Sequence, residues 1–288
     1  MNGERSLALP RLKSARGYRL YGADGRRYID FYQNGGYAMT GHRPAEVLQA
    51  LKSSAARGLW AEYPSGWQYR AEQMLKQLLP FADKVFLYPN EETVLKDVSA
   101  YYQAPVKIRE TPAGFWEDEE KNGKTAGEDE AVPITRWRPF GLDPAGEESL
   151  AAGEMGELFI PLVPFPGRFL PVPVCGVKGC GFSPSIEQEN SPVLCTLMVK
   201  SIAQTRKLID ECNPDRWRAF DLTGVKRSGP YLRFDGGEEQ YAELYRKMLE
   251  EGVLLPPDRN IPAIIPPEYT SGEIKPLMNE LRRSYGDS

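Results

Sequence analysis

The stretch YRLYGADGRRYIDFYQNGGYAMTGHRP, residues 18–44, decides the fold. Ala23-Asp24-Gly25 is a turn signal, and aromatic and apolar residues alternate on both sides of it. This predicts a β-hairpin, Tyr18–Tyr21 against Arg27–Phe31. Gly35, Gly36 and Gly41 then permit backbone bends that a Cβ would obstruct. Pro44 stands where a helix can begin, and Val47, Leu48 and Leu51 supply its apolar face.

Working outward, a helix is expected over Gln68–Leu79, with Met74, Leu75, Leu78 and Leu79 as its buried stripe. A short strand, Lys84–Tyr88, is ended by Pro89 and Asn90, and EETVLKDVSAYY resumes as a helix. The 112–156 segment lacks clear periodicity. Its run WEDEEKNGKTAGEDEA predicts a solvated loop or hairpin, and its oxygen ligands lack the spacing of an EF-hand calcium loop. Glu157–Val163 is expected as a buried strand. PFPGRFLPVPVCGVKGCGF carries too many prolines for a regular central strand and predicts short extended pieces joined by turns. A helix follows over Val193–Asp210. The last third alternates: SGPYLRFDGG as a strand, EEQYAELYRKMLEEG as a helix, VLLPP and Ile261–Pro267 as extended pieces, and a terminal helix from Ser271. The fold class is therefore α/β, with α+β character in the terminal parts.

Composition sets the outer limits. The 288 residues are 41% hydrophobic and 26% charged, enough for a sizeable core. The net charge of -4 and the lack of a basic stripe argue against a nucleic-acid surface. No apolar run is long enough to span a bilayer, and the opening MNGERSLALPRLKSARG lacks a signal-peptide pattern, so a cytoplasmic protein is expected. Cys175, Cys180, Cys195 and Cys212 match no zinc spacing and are expected as structural or incidental thiols, with no metal. His42 is the only histidine, and local hydrogen bonding suits it better than catalysis. The Gly176–Gly181 loop lacks a nucleotide-binding pattern. Trp60, Tyr63, Trp67 and Tyr69 suit a pocket, a subunit contact or the core equally well.

Asp24-Gly25-Arg26-Arg27-Tyr28-Ile29-Asp30-Phe31, then Gly35-Gly36, then Thr40-Gly41-His42-Arg43-Pro44, resembles the N-terminal signature of the class III aminotransferases of the glutamate-1-semialdehyde aminomutase type. The family's usual Gly-His-x-His-Pro is one residue tighter here. Gly252-Val253-Leu254-Leu255-Pro256-Pro257 and the helix around Glu273-Ile274 resemble the same family's C-terminal part. The resemblance covers about half the chain and implies a reduced fold-type-I architecture that binds pyridoxal phosphate (PLP) in its full-length members. It implies a discontinuous small domain: its N-terminal part and linking helices in 1–80, a reduced cofactor-domain-like region in 81–212, and its C-terminal α+β part in 213–288. Family members run well beyond this length, so the central region is abbreviated.

The resemblance also locates where the cofactor machinery should lie. Ala82–Tyr88 resembles the strand before the phosphate-binding turn, but Asn90, Glu91, Glu92 and Thr93 follow where the family has a Ser-Gly-Thr-Glu-Ala-like turn. Two carboxylates there oppose a phosphate dianion, and Pro89 removes a donor. Asp129 is the nearest echo of the aspartate that pairs the pyridine nitrogen. The lysine context is echoed by Arg168–Gly176, with arginine near the lysine slot, and arginine does not readily form an imine. Lys178 is the candidate for a relocated nucleophile. Gly36 and Tyr37 fall near the family's substrate entrance and are the expected substrate contacts. These readings favour an aminotransferase-like protein, as a homodimer, without PLP catalysis and with a small-molecule-binding or assembly role. The alternatives are a PLP-dependent aminotransferase or aminomutase with rearranged catalytic residues, and a PLP-independent enzyme using Glu91, Glu92 or Asp97 as acid or base.

Overall fold

The computed structural model describes residues 7–110, 131–141, 156–185 and 188–285. The chain divides into two units, Met1–Pro44 with Asp210–Ser288, and Ala45–Ile209. The first unit begins with β1 (Leu12–Arg16), β2 (Arg19–Gly22) and β3 (Arg27–Asp30), an antiparallel meander. The Gly22 N–H donates to the Arg26 carbonyl at 2.8 Å, and Gly25 takes a φ of +84° that closes the hairpin.

The second unit begins with α1 (Ala45–Ala56) and α2 (Gly66–Leu78). Its sheet contains β4 (Ala82–Tyr88), β5 (Val106–Arg109), β6 (Val132–Trp137), β7 (Leu158–Pro161) and β8 (Val172–Val177), with α3 (Glu91–Tyr102) between β4 and β5. The order is β4-β8-β7-β6-β5. The neighbours β5, β6 and β7 are parallel, and β8 is antiparallel to both β7 and β4. The carboxyl ends of β4, β5, β6 and β7 therefore share one edge, together with the amino end of β8.

Period-two alternation sorts the side chains onto the two faces. Val85, Leu87, Phe159 and Cys175 pack with Ala71, Leu75 and Leu79 of α2 and its end, and with Met198 and Ile202 of α4 (Pro192–Asp210). Tyr88, Ile134, Leu158, Ile160 and Val174 pack on the other face with Val94 and Val98 of α3. Each fully buried aliphatic or aromatic side chain contributes about 1.5–3 kcal/mol by leaving water.

Two expectations need correcting. β6 is a buried strand within the 112–156 segment, whose lack of periodicity gave no strand; the run expected as a loop or hairpin, 116–131, lies outside the described residues apart from Ala131. The polar Thr135, Arg136 and Arg138 mask a strand whose neighbours supply the missing apolar contacts. β8 is a regular six-residue central strand despite its prolines. Pro173 pairs with Leu87 of β4, while β7 pairs only with Cys175 and Gly176. The missing N–H thus falls where the strand is laddered on one side alone.

The chain then returns to the first unit with α5 (Asp215–Arg218), β9 (Val225–Ser228), β10 (Tyr231–Phe234), α6 (Glu238–Glu250), β11 (Val253–Leu254), β12 (Ala263–Ile264) and α7 (Ser271–Tyr285). β11 adds to β3 in parallel, Val253 beside Ile29, so the two ends of the sequence share one sheet. β9, β10 and β12 form a second sheet. Tyr241, Leu244, Tyr245 and Met248 of α6 bury one stripe against Tyr28, Phe31 and Leu254.

Glu273 ties α7 to β2. Its carboxylate accepts from Arg19 Nε at 2.7 Å and Arg19 Nη2 at 2.9 Å. It also accepts from the Thr270 N–H, while the Thr270 hydroxyl accepts from the Glu273 N–H, a reciprocal cap at the helix start. The Arg19 hydrogen bonds hold the Glu273 carboxyl at about 2, well below its ordinary range. A depressed carboxyl stabilises the fold while ionised, so its contribution is full at neutral pH and is lost as pH falls from the ordinary glutamate range towards 2. Glu273→Ala should cost on the order of 2 kcal/mol at pH 7 in urea unfolding, and the gap from wild type should close as pH approaches 2.

Candidate functional site

The carboxyl edge of the five-stranded sheet holds a cluster of paired charges. Ile134, Arg136 and Arg138 alternate onto the α3 face of β6, and Val106, Ile108 and Glu110 do the same along and just past β5. The last apolar position on each strand is thus followed by charge as the strand leaves the core. Arg136, with 4% of its side chain exposed, donates from Nη2 to Glu91 Oε1 at 2.7 Å and from Nε to Glu110 Oε1 at 3.0 Å. Arg138 donates to Glu110 Oε2 at 2.8 Å and to the Glu110 carbonyl at 2.9 Å. Desolvation pushes the Glu110 carboxyl up, but Arg136 and Arg138 outweigh it and hold the group below its ordinary range.

The α3 N-terminus completes this edge. Asn90 is extended and accepts from both the Thr93 N–H and the Thr93 hydroxyl at 2.9 Å. This is a side-chain cap that closes one of the helix's open donors on the chain itself. Glu91 and Glu92 occupy the first turn, where the helix dipole favours negative charge. Glu91 turns to Arg136, and Glu92 is exposed. Asp97, one turn further on, accepts from the Tyr88 hydroxyl at 2.5 Å and from the Ser185 N–H. Burial and the bond to Asp97 push the Tyr88 hydroxyl up, so this pair braces β4 against α3.

Immediately after β6, Arg138-Pro139-Phe140-Gly141 forms a turn closed by the Gly141 N–H on the Arg138 carbonyl at 3.0 Å. Phe140 takes a φ of +59°, a conformation that glycine usually fills in such a turn. A bulky residue there costs about 1–2 kcal/mol.

The other sequence candidates are dispersed. Lys178 is exposed in the turn after β8. β8 pairs Val172 with Tyr88 and Val177 with Ala82, so Lys178 lies at the opposite edge, about 20 Å from the Asn90 turn at strand rise. Arg168 is exposed in the 162–171 loop, on the same edge as Asn90, and that loop, LVPFPGRFLP, contains no lysine. Asp129 lies outside the described residues. All four thiols are pushed up by burial, which disfavours a nucleophilic thiolate. Trp60, Tyr63 and Tyr69 are 58–65% exposed and are not core residues, while Trp67 is half-buried with the Arg57 and Arg70 guanidiniums 5.6 and 5.4 Å from its ring centre. A cavity of about 840 Å³ between α6 and the 257–260 loop mixes Glu238, Glu239, Glu243 and Asp258 with Arg246, and lies in the first unit. Among the described residues, no group of three His, Cys, Asp or Glu side chains can hold a metal ion, and no helix is long and apolar enough to cross a membrane.

Gly36 and Tyr37 belong to a second constellation, in the first unit. Gln33, Asn34, Gly35 and Gly36 have φ of 45°, 50°, 67° and 103°, an unbroken left-handed run. Asp30 compensates for that strain. Its Oδ1 accepts from the Tyr32 and Gln33 N–H groups, and its Oδ2 lies 2.6 Å from His42 Nε2. Gln33 Nε2 donates to the Ile264 carbonyl, and Gly41 takes a φ of +86° beside Gly17, whose carbonyl accepts from the His42 N–H at 2.9 Å. Gly36 is buried and Tyr37 half-buried. His42 is a brace for this turn. Asp30→Ala should lower stability by about 2–3 kcal/mol in chemical denaturation, and His42→Gln by less, because only one of three contacts to Asp30 is lost.

Sequence reasoning missed Arg136, Arg138 and Glu110. The available signal was the alternation Ile134-Thr135-Arg136-Trp137-Arg138.

No protein-family model matches the chain. A protein of Borreliella burgdorferi, described only as uncharacterized, is 24% identical over 272 residues, which is 92% of this chain and 88% of that one. Glutamate-1-semialdehyde 2,1-aminomutases of Herminiimonas arsenicoxydans and Akkermansia muciniphila are 36% and 34% identical over 73 and 74 residues. Those matches span about a quarter of this chain and 17% of each aminomutase. Among solved structures, an omega-transaminase from Sphaerobacter thermophilus aligns at a TM-score of 0.63 and 14% identity, over 97% of this chain and 92% of that one. Ornithine delta-aminotransferase of Plasmodium falciparum aligns at 0.66 and 13%, over 100% and 97%. With its mixed sheet and a second sheet that joins both ends of the sequence, the chain has a reduced fold-type-I PLP-transferase-like fold.

Proposed function

We propose that this chain is an aminotransferase-like protein that does not run PLP imine chemistry and that acts by binding a small molecule or by assembly. The observation that carries this reading is the lysine-free 162–171 loop beside an α3 N-terminus capped by Asn90 and occupied by Glu91. A cofactor phosphate would meet a carboxylate in place of open donors, and the aldehyde would meet Arg168 rather than an amine. The residues at this edge do not fit the group. Glu92 and Asp97 gain little as acid–base candidates, since one is exposed and the other is held by Tyr88 and the Ser185 N–H. Binding at Gly36 and Tyr37 is retained as part of the proposal, with the strained 33–36 backbone as its support. Exposed Leu59, Trp60, Tyr63 and Tyr69 support self-association as a homodimer.

A second reading, a PLP-dependent aminotransferase or aminomutase with rearranged catalytic residues, is favoured by the comparisons. The omega-transaminase and the ornithine delta-aminotransferase share this chain's fold, and the two aminomutases are 36% and 34% identical to about a quarter of the chain. One experiment separates the two. The purified protein is incubated with PLP, its visible spectrum recorded, and the mixture reduced with borohydride and peptide-mapped. The first reading expects no imine band and no site-specific adduct. A band with one reduced lysine, Lys178 or any other, establishes the second.

A further inference from the structure

We propose that Glu91 is an internal substitute for a bound anion: its carboxylate fills the anion position between the α3 N-terminus and the buried Arg136, and so keeps that position shut to phosphate. A helix that starts at the carboxyl edge of a parallel sheet offers a ready anion site through its open N–H groups and its dipole. A nearly buried guanidinium aimed at the same point raises the demand for negative charge, because a buried cation must be paired. In this chain the demand is met from within. Glu91 leaves the first turn of α3 and reaches Arg136 at 2.7 Å, spanning from the β4 end of the sheet to β6. Glu110 takes the Nε of Arg136 and the Nη2 of Arg138. Among the described residues, two carboxylates thus face two guanidiniums.

The burial is asymmetric, and this makes the substitution testable. Arg136 and Arg138 are 4% and 7% exposed, whereas Glu91 and Glu110 are 44% and 52% exposed. The cations are fixed in the sheet, and the anions are the accessible members of the pairs. Removing Glu91 takes one charged hydrogen bond from Arg136 Nη2 while Glu110 still holds its Nε, so a preorganised, desolvated donor loses its acceptor on the α3 side. Glu92 provides an internal control, since it is one residue away in the same helix turn and exposed. Neutralising it removes the same charge without releasing Arg136.

The inference rests on the same edge as the reading above, but its test does not involve imine formation. The full chain, as wild type and as Glu91→Gln, Glu110→Gln and Glu92→Gln, is titrated with inorganic phosphate at constant ionic strength, followed by calorimetry and by thermal melting. Circular dichroism confirms the fold of each variant, and Glu110→Gln serves if Glu91→Gln does not fold. Glu91→Gln should bind phosphate about tenfold or more tighter than wild type, the change expected of one released charged hydrogen bond, and Glu110→Gln should gain in the same direction. Glu92→Gln should match wild type. A folded Glu91→Gln that gains nothing, a Glu92→Gln that gains as much, or a wild type that already binds phosphate as tightly as the variant overturns the proposal. A PLP imine on some lysine, with this phosphate pattern intact, would sink the reading of the previous subsection and leave this one standing.

Discussion

A guanidinium on a central strand, 96% withdrawn from solvent, has to be neutralised, and Arg136 imposes that requirement on everything near it. Two carboxylates that pair with it come from different elements, Glu91 from the first turn of α3 and Glu110 from just past β5. The cation therefore fixes the approach of α3 to the sheet at the carboxyl ends of its parallel strands. The Tyr88–Asp97 hydrogen bond fixes the same helix one turn further along. Below both, Val94 and Val98 supply the apolar packing against Ile134, Ile160 and Val174. Apolar burial supplies most of the stability, and the charges determine which end of the sheet is closed.

The sequence made the local elements legible. The hairpin at Ala23–Gly25, the helix that resumes after Asn90 and the long helix before Asp210 follow from turn chemistry and 3.6-residue periodicity, and the structure places them within a residue or two of expectation. Those rules act over a few residues, so a single sequence contains what they need. β6 and β8 were not legible for the same reason. Their stability comes from neighbours distant in sequence: β6 is buried because β5 and β7 flank it, and β8 tolerates Pro173 because β7's pairing stops at Cys175. Composition rules applied to each strand alone count arginine and proline against it.

The candidate site followed the same division. The conflict between an acidic first turn and a phosphate was visible in Glu91 and Glu92 as charge alone. Its resolution was not, because Arg136 is 45 residues from Glu91 and joins it only across the sheet. Lys178 shows the converse. It is ten residues beyond Arg168 in sequence, but an antiparallel strand carries it to the far edge. Proximity along the chain says little about proximity across a sheet.

Two local strains show how the chain maintains these arrangements. Phe140 holds a left-handed conformation two residues after Arg138, and Gln33 and Asn34 do so three and four residues after Asp30. In each case a charged side chain beside the strained backbone is fully engaged, Arg138 with Glu110 and Asp30 with two N–H groups and His42. Backbone strain of this kind persists only where surrounding contacts over-determine it. Beside these turns lie ionic contacts that contribute little net stability when buried, so what they supply is position. At the sheet edge that position belongs to Arg136, and its fixed orientation towards the α3 N-terminus sets the sign of charge that edge can accept.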